Sequence, residues 1–552
     1  MAAAGSGAAG TFAPLREGTF RRIWSASLIS NFGHLILGVA AAWEMTRLTD
    51  SAEMVALVQS ALMLPLMLVS VPAGAVADMF DRRKIALSGL AFSMLSAVVL
   101  TVIALAGAVT PWVLLAFCSL IGAGVALYSP AWQASISEQV PPEQIPGAIA
   151  LGTISYNIAR SCGPAVGGAI VLAAGVQAAF AMNALFYVPL FIAFLMWQRK
   201  HVPARLPPER IDRAIISGGR YAMYSPSVRN TIVRAFLFGL ASAATSALAA
   251  LVAKDLLGGD AAVFGLLLGA SGAGAVAGAL LVSHIRATFR TELAVTMCLV
   301  GNAVAVALIG ASHNVALTCA GMFLAGGVNI LIIALFNVGV QLSVPRWVVA
   351  RALSLFSASL TGGIALGAWL WGEVASVYGV DSAFFLSATV VLLSPLLGLV
   401  LPIRATVHAD VELAPLENVP EVELGISMRS GPVTIEIDYI VDPNRARDFY
   451  DVMRRMQGAR QRRGAFNWSL ARDIGNAALW TERYQCATWG DYLRQRSRFT
   501  QADRALQQEA SAFHLGGADN RVRHRLERPF GSVRWKADSP DPGQDSVDFI
   551  TP

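Results

Sequence analysis

The sequence predicts an all-α membrane protein of twelve transmembrane helices in two six-helix repeats, followed by a small α+β domain. Three observations carry that prediction. A content of 55% hydrophobic and 14% charged residues over 552 positions makes lipid, not water, the expected solvent. The apolar residues gather into about twelve stretches of about 20 residues, each able to cross a hydrocarbon core of about 30 Å as a helix. After about residue 404 the charged residues become dense, and apolar ones fall at the periods of soluble structure.

The stretches lie near 23–46, 53–77, 85–107, 111–133, 147–173, 176–198, 229–253, 261–283, 291–312, 314–338, 348–373 and 381–403. They divide the chain into a 1–22 segment, a first six-helix half 23–198, a central loop 199–228, a second half 229–403, a linker 404–430, the small domain 431–530 and a tail 531–552. The N-terminal stretch lacks a basic segment ahead of an apolar core and cleavage site, so the first helix is expected to serve as an uncleaved anchor. Cys118, Cys162, Cys298, Cys319 and Cys486 fall singly, without metal-ligand spacing or disulfide clustering, and read as inert packing residues. No metal and no cofactor is expected. No Gly-rich phosphate loop ending in Lys-Ser/Thr occurs, which disfavours ATP-driven pumping.

Basic residues gather in alternate loops. Arg16, Arg21 and Arg22 precede the first helix, Arg82, Arg83 and Lys84 separate the second and third, and Arg199, Lys200, Arg205, Arg210, Arg213 and Arg220 separate the sixth and seventh. The intervening loops carry little more than Arg47 and Lys254, so both termini are expected on the cytoplasmic side of the cell membrane. A shift of 204 positions superimposes Gly74 on Gly278, Arg82 on Arg286, Pro141 on Pro345, Ala148 on Ala352, Gly163 on Gly367 and Gly168 on Gly372. One constant offset across widely separated helices is what a duplicated six-helix unit would leave, and parallel repeats with a midplane site are an architecture of secondary transporters.

Gly74-Ala-Val-Ala-Asp78-Met-Phe-Asp81-Arg82-Arg83-Lys84 resembles the loop 2–3 signature of the major facilitator superfamily, Gly-x-x-x-Asp-x-x-Gly-Arg-Arg/Lys, with Asp81 in place of the second glycine. Gly163-Pro164-Ala165-Val166-Gly167-Gly168 resembles the Gly-Pro-x-x-Gly-Gly motif of drug-exporting members, without their upstream glycine. Together with Tyr128-Ser-Pro130-Ala131-Trp132-Gln133-Ala134 and Asn157-x-x-Arg160, residues 15–405 look most like the branch that includes enterobactin-exporter-like and transmembrane secretion effector proteins. The resemblance implies alternating-access export of a siderophore, drug or secondary metabolite, with protons as coupling ion. It also implies a gate at Gly74, Asp78, Asp81, Arg82 and Arg83, in which Asp78 bridges to the other half; the alternative for the bases is topological anchoring. Gly163, Pro164, Gly167 and Gly168 read as packing and hinge positions, because small residues let helices approach closely and a proline can kink its helix.

Arg160 is the sharpest charge inside a span. Its cost there, at least about 2.5 kcal/mol, argues that it faces the bundle interior or a wet cavity. Asn157 lies one turn away, and the pair would attract an anionic or strongly polar small-molecule substrate; the alternative is structural pairing with an acid or helix-end carbonyls. Asn31 and His34 share a turn of the first helix, where His34 is a candidate for proton coupling or a packed histidine. Asn329 and Asn337, and Asn183 in the sixth helix, are further cavity candidates or interhelical hydrogen-bonding groups. The middle of the first six helices holds no carboxylate, so proton coupling rests on the resemblance alone.

In the tail, Val433–Tyr439, Phe466–Leu470 and Ala478–Tyr484 alternate as strands, Asp442-Pro443 opens a helix expected to stop at Gly458, Thr488 caps a second helix running to about 509, and Val522–Leu526 closes the sheet. That order is a ferredoxin-like unit. Trp480-x-Glu482-x-Tyr484 with Trp489 and Tyr492 resembles the antibiotic-biosynthesis-monooxygenase-like, dimeric α/β-barrel family, which implies a homodimer through this domain. Asn467, Trp468 and Trp480 are its cavity candidates, or core and interface residues, and no catalytic constellation is assignable. The many arginines here favour the lipid bilayer's anionic inner leaflet as partner over nucleic acid, which is not expected. Two functions stand: a transporter that is not itself an enzyme, and a membrane-tethered, cofactor-independent monooxygenase coupled to product export.

Overall fold

The computed structural model describes residues 12–79, 81–141, 144–198, 219–345, 348–403, 422–424, 426–515 and 522–527. The N-terminal segment, central loop, linker and tail expected at 1–22, 199–228, 404–430 and 531–552 fall in large part outside the described residues, as do the side chains of Asp78 and Asn157 and the surroundings of Gly74.

Among the described residues, eleven helical stretches are long and apolar enough to cross a membrane. They are carried by α1 (Gly18–Leu48), α2 (Ala52–Met79), α3 (Arg82–Leu105), α4 (Pro111–Ser135), α5 (Ile145–Met196), α6 (Pro226–Ser242) with the turns that follow it, α7 (Ala261–Thr288), α8 (Thr291–Ala311), α9 (Val315–Leu342), α10 (Val349–Tyr378) and α11 (Val380–Leu393) with its extension. Polar residues start them. Asp81 Oδ1 accepts from the Arg83 and Lys84 amides at α3, Thr110 Oγ1 from Val113 N at α4, Asp260 Oδ1 from the Ala262 and Val263 amides at α7, and Asn314 Oδ1 from Ala316 N and Leu317 N at α9. Each satisfies amides that the first helical turn leaves unbonded. Large apolar side chains such as Leu105, Leu280 and Leu399 remain exposed, as expected where lipid is the solvent.

The helix α5 is too long for one crossing: 52 residues would extend ~78 Å at 1.5 Å per residue. Gly175 breaks it with φ 80° and ψ 171°. Gly163 and Gly167, before the break, pack on Leu35, Ile36 and Val39 of α1, while Gly33 of the same helix packs on Asn183 and Phe186, after it. Positions 163 and 183 would lie ~30 Å apart along a straight helix, yet both reach one level of α1. The chain therefore reverses at Gly175, into arms 145–174 and 176–196.

The chain folds as two compact units, the first comprising Met1–Ala214, Asn230–Val338 and Leu353–Ile403, the second Ile215–Arg229, Gly339–Ala352 and Arg404–Pro552. The second contains an antiparallel sheet of order β2-β3-β1-β4, formed by β1 (Val433–Ile440), β2 (Phe466–Arg472), β3 (Leu479–Cys486) and β4 (Val522–Leu526). Helix α12 (Ala446–Arg462) connects β1 to β2, and α13 (Trp489–Ser497) and α14 (Gln501–Ser511) connect β3 to β4. Ile435, Ile437, Tyr439, Tyr484, Phe449, Val452, Met453, Met456, Trp489 and Tyr492 make the core between sheet and helices.

Two helix ends differ from expectation. Gly458 lies inside α12 with open space around it, and the helix stops instead before Gly464, whose φ of 113° suits a glycine. The expected single helix after Thr488 is two, because Thr500 and Asp503 form a second capping box at the start of α14. Capping chemistry outranks the apolar stripe in setting both boundaries.

Candidate functional site

Several polar residues of the first unit, among them Asn31, His34, Arg160, Asn302 and Asn329, sit near the middle of their helices. Asn31 of α1 donates through Nδ2 to Ser155 Oγ at 3.3 Å, tying α1 to the first arm of α5. One turn on, His34 Nδ1 is buried without a hydrogen-bond partner. Arg160, near the middle of that arm, is half-buried and makes no hydrogen bond or ion pair among the described residues. Asn31 and the α5 arm are thus brought together, whereas no bond joins Arg160 to Asn31 or His34. Across the unit, Asn329 and Asn337 of α9 are half-buried. Asn183 and Asn302 are buried with both amide atoms unbonded.

One charged pair escaped the sequence reading. Arg234 of α6 is 2% exposed and meets Glu292 Oε1 of α8 at 2.5 Å, with its guanidinium 5.8 Å from the Phe336 ring centre. Glu292 Oε2 also accepts from Ile403 N at 3.3 Å, so the pair holds the end of the last span. The signal was present: an arginine inside the apolar run 229–253 carries the same cost as Arg160. Its partner, 58 residues on, was not readable.

The charged loop is used locally. Besides the Asp81 cap, Arg82 Nη1 donates to Ala134 O at 2.7 Å and Glu138 Oε1 at 3.1 Å, while Arg83 donates to Phe194 O at 2.9 Å and Leu195 O at 2.6 Å. Arg83 thereby satisfies carbonyls at the C-terminal end of the second α5 arm, where the helix dipole favours a cation.

The glycines make close helix crossings. A Cβ on Gly168 would lie 2.7 Å from Gly265 Cα and 2.9 Å from Ala261 O, and one on Gly269 would lie 3.2 Å from Ala165 Cβ. Pro164 lies within the α5 arm. In α10, Gly363 and Gly367 face Phe236 and Leu240 of α6, while a Cβ on Gly372 would lie 3.1 Å from Glu53 Cα and press on Ala56. Ser60 Oγ donates to Ala365 O at 2.6 Å, and Trp43 stacks on Phe264 with ring centres 6.1 Å apart. A π-helical turn, Val252–Leu256, carries Lys254, whose Nζ donates to Thr46 O at 2.7 Å and lies 3.6 Å from Asp50. Apart from the Gly363 and Gly367 contacts, which lie within 226–400, these contacts join the helices of 18–196 to those of 226–400 in the parts nearest Leu48 and Ala52, and a Cβ on Gly362 would press on Met67 near the middle of α10 and α2.

In the second unit the candidates diverge. Asn467 is on the strand face toward Gln485, donating to its Oε1 at 2.7 Å, with a left-handed φ of 49°. Trp468 Nε1 donates to Glu482 Oε1 at 2.9 Å. Trp480 packs on Phe449 and under the Arg472 guanidinium, with Nε1 buried and unbonded. Glu482, fully buried, receives Arg460 Nε at 3.1 Å, Arg460 Nη2 at 3.3 Å and Tyr439 OH at 3.3 Å. Burial disfavours the Arg460 charge, but Glu482 together with the Tyr484 and Tyr439 hydroxyls outweighs it and holds the pKa above the usual range; burial and then Glu482 raise the Tyr439 hydroxyl. The opposite sheet face is a lattice of ion pairs: Glu436 with Arg525 at 3.1 Å, Asp438 with Arg523 at 2.6 Å, and Glu527 with Arg483 at 2.8 Å.

Membrane-spanning helices with mid-depth polar residues, glycine-lined crossings and a small α+β module define a multi-pass membrane protein of major facilitator architecture. The family described as transmembrane secretion effector matches residues 9–530. The chain belongs to that family. Similar proteins include the staphyloferrin A transporter of Staphylococcus aureus (strain NCTC 8325 / PS 47), 26% identical over 191 residues, 34% of this chain and 47% of that one. The chain thus spans about half the length of that relative. The uncharacterized MFS-type transporter YfiS of Bacillus subtilis (strain 168) is 23% identical over 357 residues, 61% of this chain and 82% of that one. Among solved structures, an inward-facing, unoccupied bacterial homologue of the human lysosomal transporter Spinster has a TM-score of 0.55 at 13% identity, covering 70% of this chain and 95% of that one. The nucleoside transporter NupG has a TM-score of 0.54 at 12% identity, covering 69% and 98%. These structural likenesses establish the fold alone.

Proposed function

We propose that the protein is a twelve-span secondary transporter of the cell membrane that exports a small, anionic or strongly polar molecule by alternating access. The observation that carries this reading is that, among the described residues, most contacts between the 18–196 and 226–400 helices lie toward one end, with Asn31, His34, Arg160 and Asn329 at mid-depth. Such a seam seals one side of a midplane site and leaves the other as the route in. Counting the two α5 arms separately gives twelve. The repeat reading is supported by Gly168 and its counterpart at the 204-residue offset, Gly372, each of which packs near the start of a helix in the other set: Gly168 on Ala261 and Gly265 of α7, Gly372 on Glu53 and Ala56 of α2, although these partners are not themselves related by that offset.

The basic loops argue that the open side is cytoplasmic, with both termini there. Arg160 supplies the attraction for an anionic group, and the staphyloferrin A transporter among the relatives puts a siderophore ahead of a drug or other secondary metabolite as cargo. Asp78 remains the gate candidate, with Asp81, Arg82 and Arg83 setting the loop that presents it. Protons as the coupling ion rest on His34 and on the family. Comparing metabolite accumulation in cells with and without the protein tests direction and cargo together. Arg160→Ala, expressed normally yet exporting at the parent rate, would sink the cavity role.

The Trp480-x-Glu482-x-Tyr484 pattern favours a second reading, a tethered monooxygenase-like module feeding the exporter. Against it, Asn467, Trp468 and Trp480 do not converge, and Arg460 with Glu482 occupies the space beside Trp468. Substrate oxidation by purified 420–552 would support it. A homodimer formed by apposing the sheets would have to bury the ion-pair lattice of Glu436, Asp438 and Glu527, a desolvation that disfavours this pairing.

A further inference from the structure

The segment leading into α6 is packed on the C-terminal module. Residues 219–224 are helical, and Arg220 Nη1 donates to Gly464 O at 3.0 Å. Gly464 follows the C-terminal end of α12, where the helix dipole favours a cation. The next two residues, Tyr221 and Ala222, are 7% and 8% exposed, whereas Met223 and Tyr224 are 67% and 44% exposed. One face of this helical turn is therefore covered. Arg462 at the end of α12 and Asp503 at the start of α14 lie close enough to act electrostatically on the Tyr221 hydroxyl, which burial pushes up to about 12. Arg462 and Asp503 are themselves paired at 3.3 Å.

We propose that the C-terminal module is a clasp for the chain's own inter-half segment: the surface formed by Arg462, Gly464 and Asp503 binds residues 219–224 and so restrains the connection between the two sets of spans. The inference rests on the transporter reading for its consequence but not for the contact. Rocking of one six-helix set against the other must displace or strain their connecting segment. A module that grips that segment biases the balance between the two states without touching cargo. This gives the module a role that requires no catalytic cavity.

Hydrogen exchange on the full-length protein in detergent tests the contact. Arg220→Ala should speed exchange across 219–224 and 461–466 about tenfold, the effect of losing a hydrogen bond from a charged group, and Tyr221→Ser, which removes a buried ring, should speed exchange in the same segments, with β1 and β3 unchanged. Arg220→Lys should retain part of the protection. Unchanged exchange in both segments overturns the clasp. The consequence is read with cysteines at Ala165 and Gly269, in a background carrying Cys162→Ser. Cross-linking of this pair reports the closed seam, and Arg220→Ala should change its rate. Lost protection with an unchanged cross-linking rate refutes the regulatory role. Failure of the pair to cross-link in the otherwise unaltered chain contradicts the closed-seam reading instead, and exchange alone then decides the clasp.

Discussion

Glu482 shows what one residue can do in two contexts. It stood out in the sequence as the centre of an aromatic pattern, yet its role is to neutralise Arg460 inside the module. The partner, 22 residues earlier on α12, could not be read, because pairing across a sheet–helix core depends on topology, not spacing. Glu482→Ala should destabilise the module by about 3–5 kcal/mol, since a buried guanidinium is left without its counter-charge; denaturant unfolding followed by tryptophan fluorescence measures this. His524 provides a pH prediction. Its Nε2 lies 2.6 Å from Tyr492 OH, and burial followed by the Arg496 charge lowers its pKa. The unfolded chain then binds the proton more readily than the folded one. Stability should be complete above the ordinary histidine value of about 6.5 and fall as pH drops through it toward the lowered folded value. A pH series of module unfolding that is flat across this window, or no steeper in the parent than in His524→Gln, contradicts the assignment.

Helices were legible where composition decides and illegible where single turns do. The apolar runs locate the spans, and Thr488 was correctly placed as a cap. The end at Gly464 and the new start at Thr500 were missed because each depends on how a few amides and carbonyls are satisfied. Two predictions belong here. Asp81→Ala removes the α3 cap and should cost about 1 kcal/mol, seen as faster exchange in the first turn of α3. Gly168→Leu puts a side chain where Gly265 backbone stands; overpacking of about 1–3 kcal/mol should lower cross-linking between positions 165 and 269 about tenfold while leaving the protein membrane-inserted.

Across the molecule, Gly168 and Gly372, which the constant offset pairs, both sit at close crossings with helices of the other set, a placement that no single helix discloses. Polar function was less visible. Arg160 announced itself by cost, while the Arg234–Glu292 pair joins residues whose proximity exists only after the second set of spans has assembled. If the C-terminal module tunes the transporter, a chain ending near residue 410 should still export, with an altered rate or state balance. If the module supplied the chemistry, that chain would lose the modified product entirely, and metabolite profiling of cells expressing either form separates the two.

Gly175 has a practical corollary for mapping which way the chain threads the bilayer. A single residue makes the connection between two spans, so the turn offers neither a protease site nor room for an epitope. A tag placed there would be read as misfolding, not as topology. The segment 106–108 lies exposed between two helices, so a reporter belongs there, whereas 312–314 is committed to capping α9 through Ser312 and Asn314.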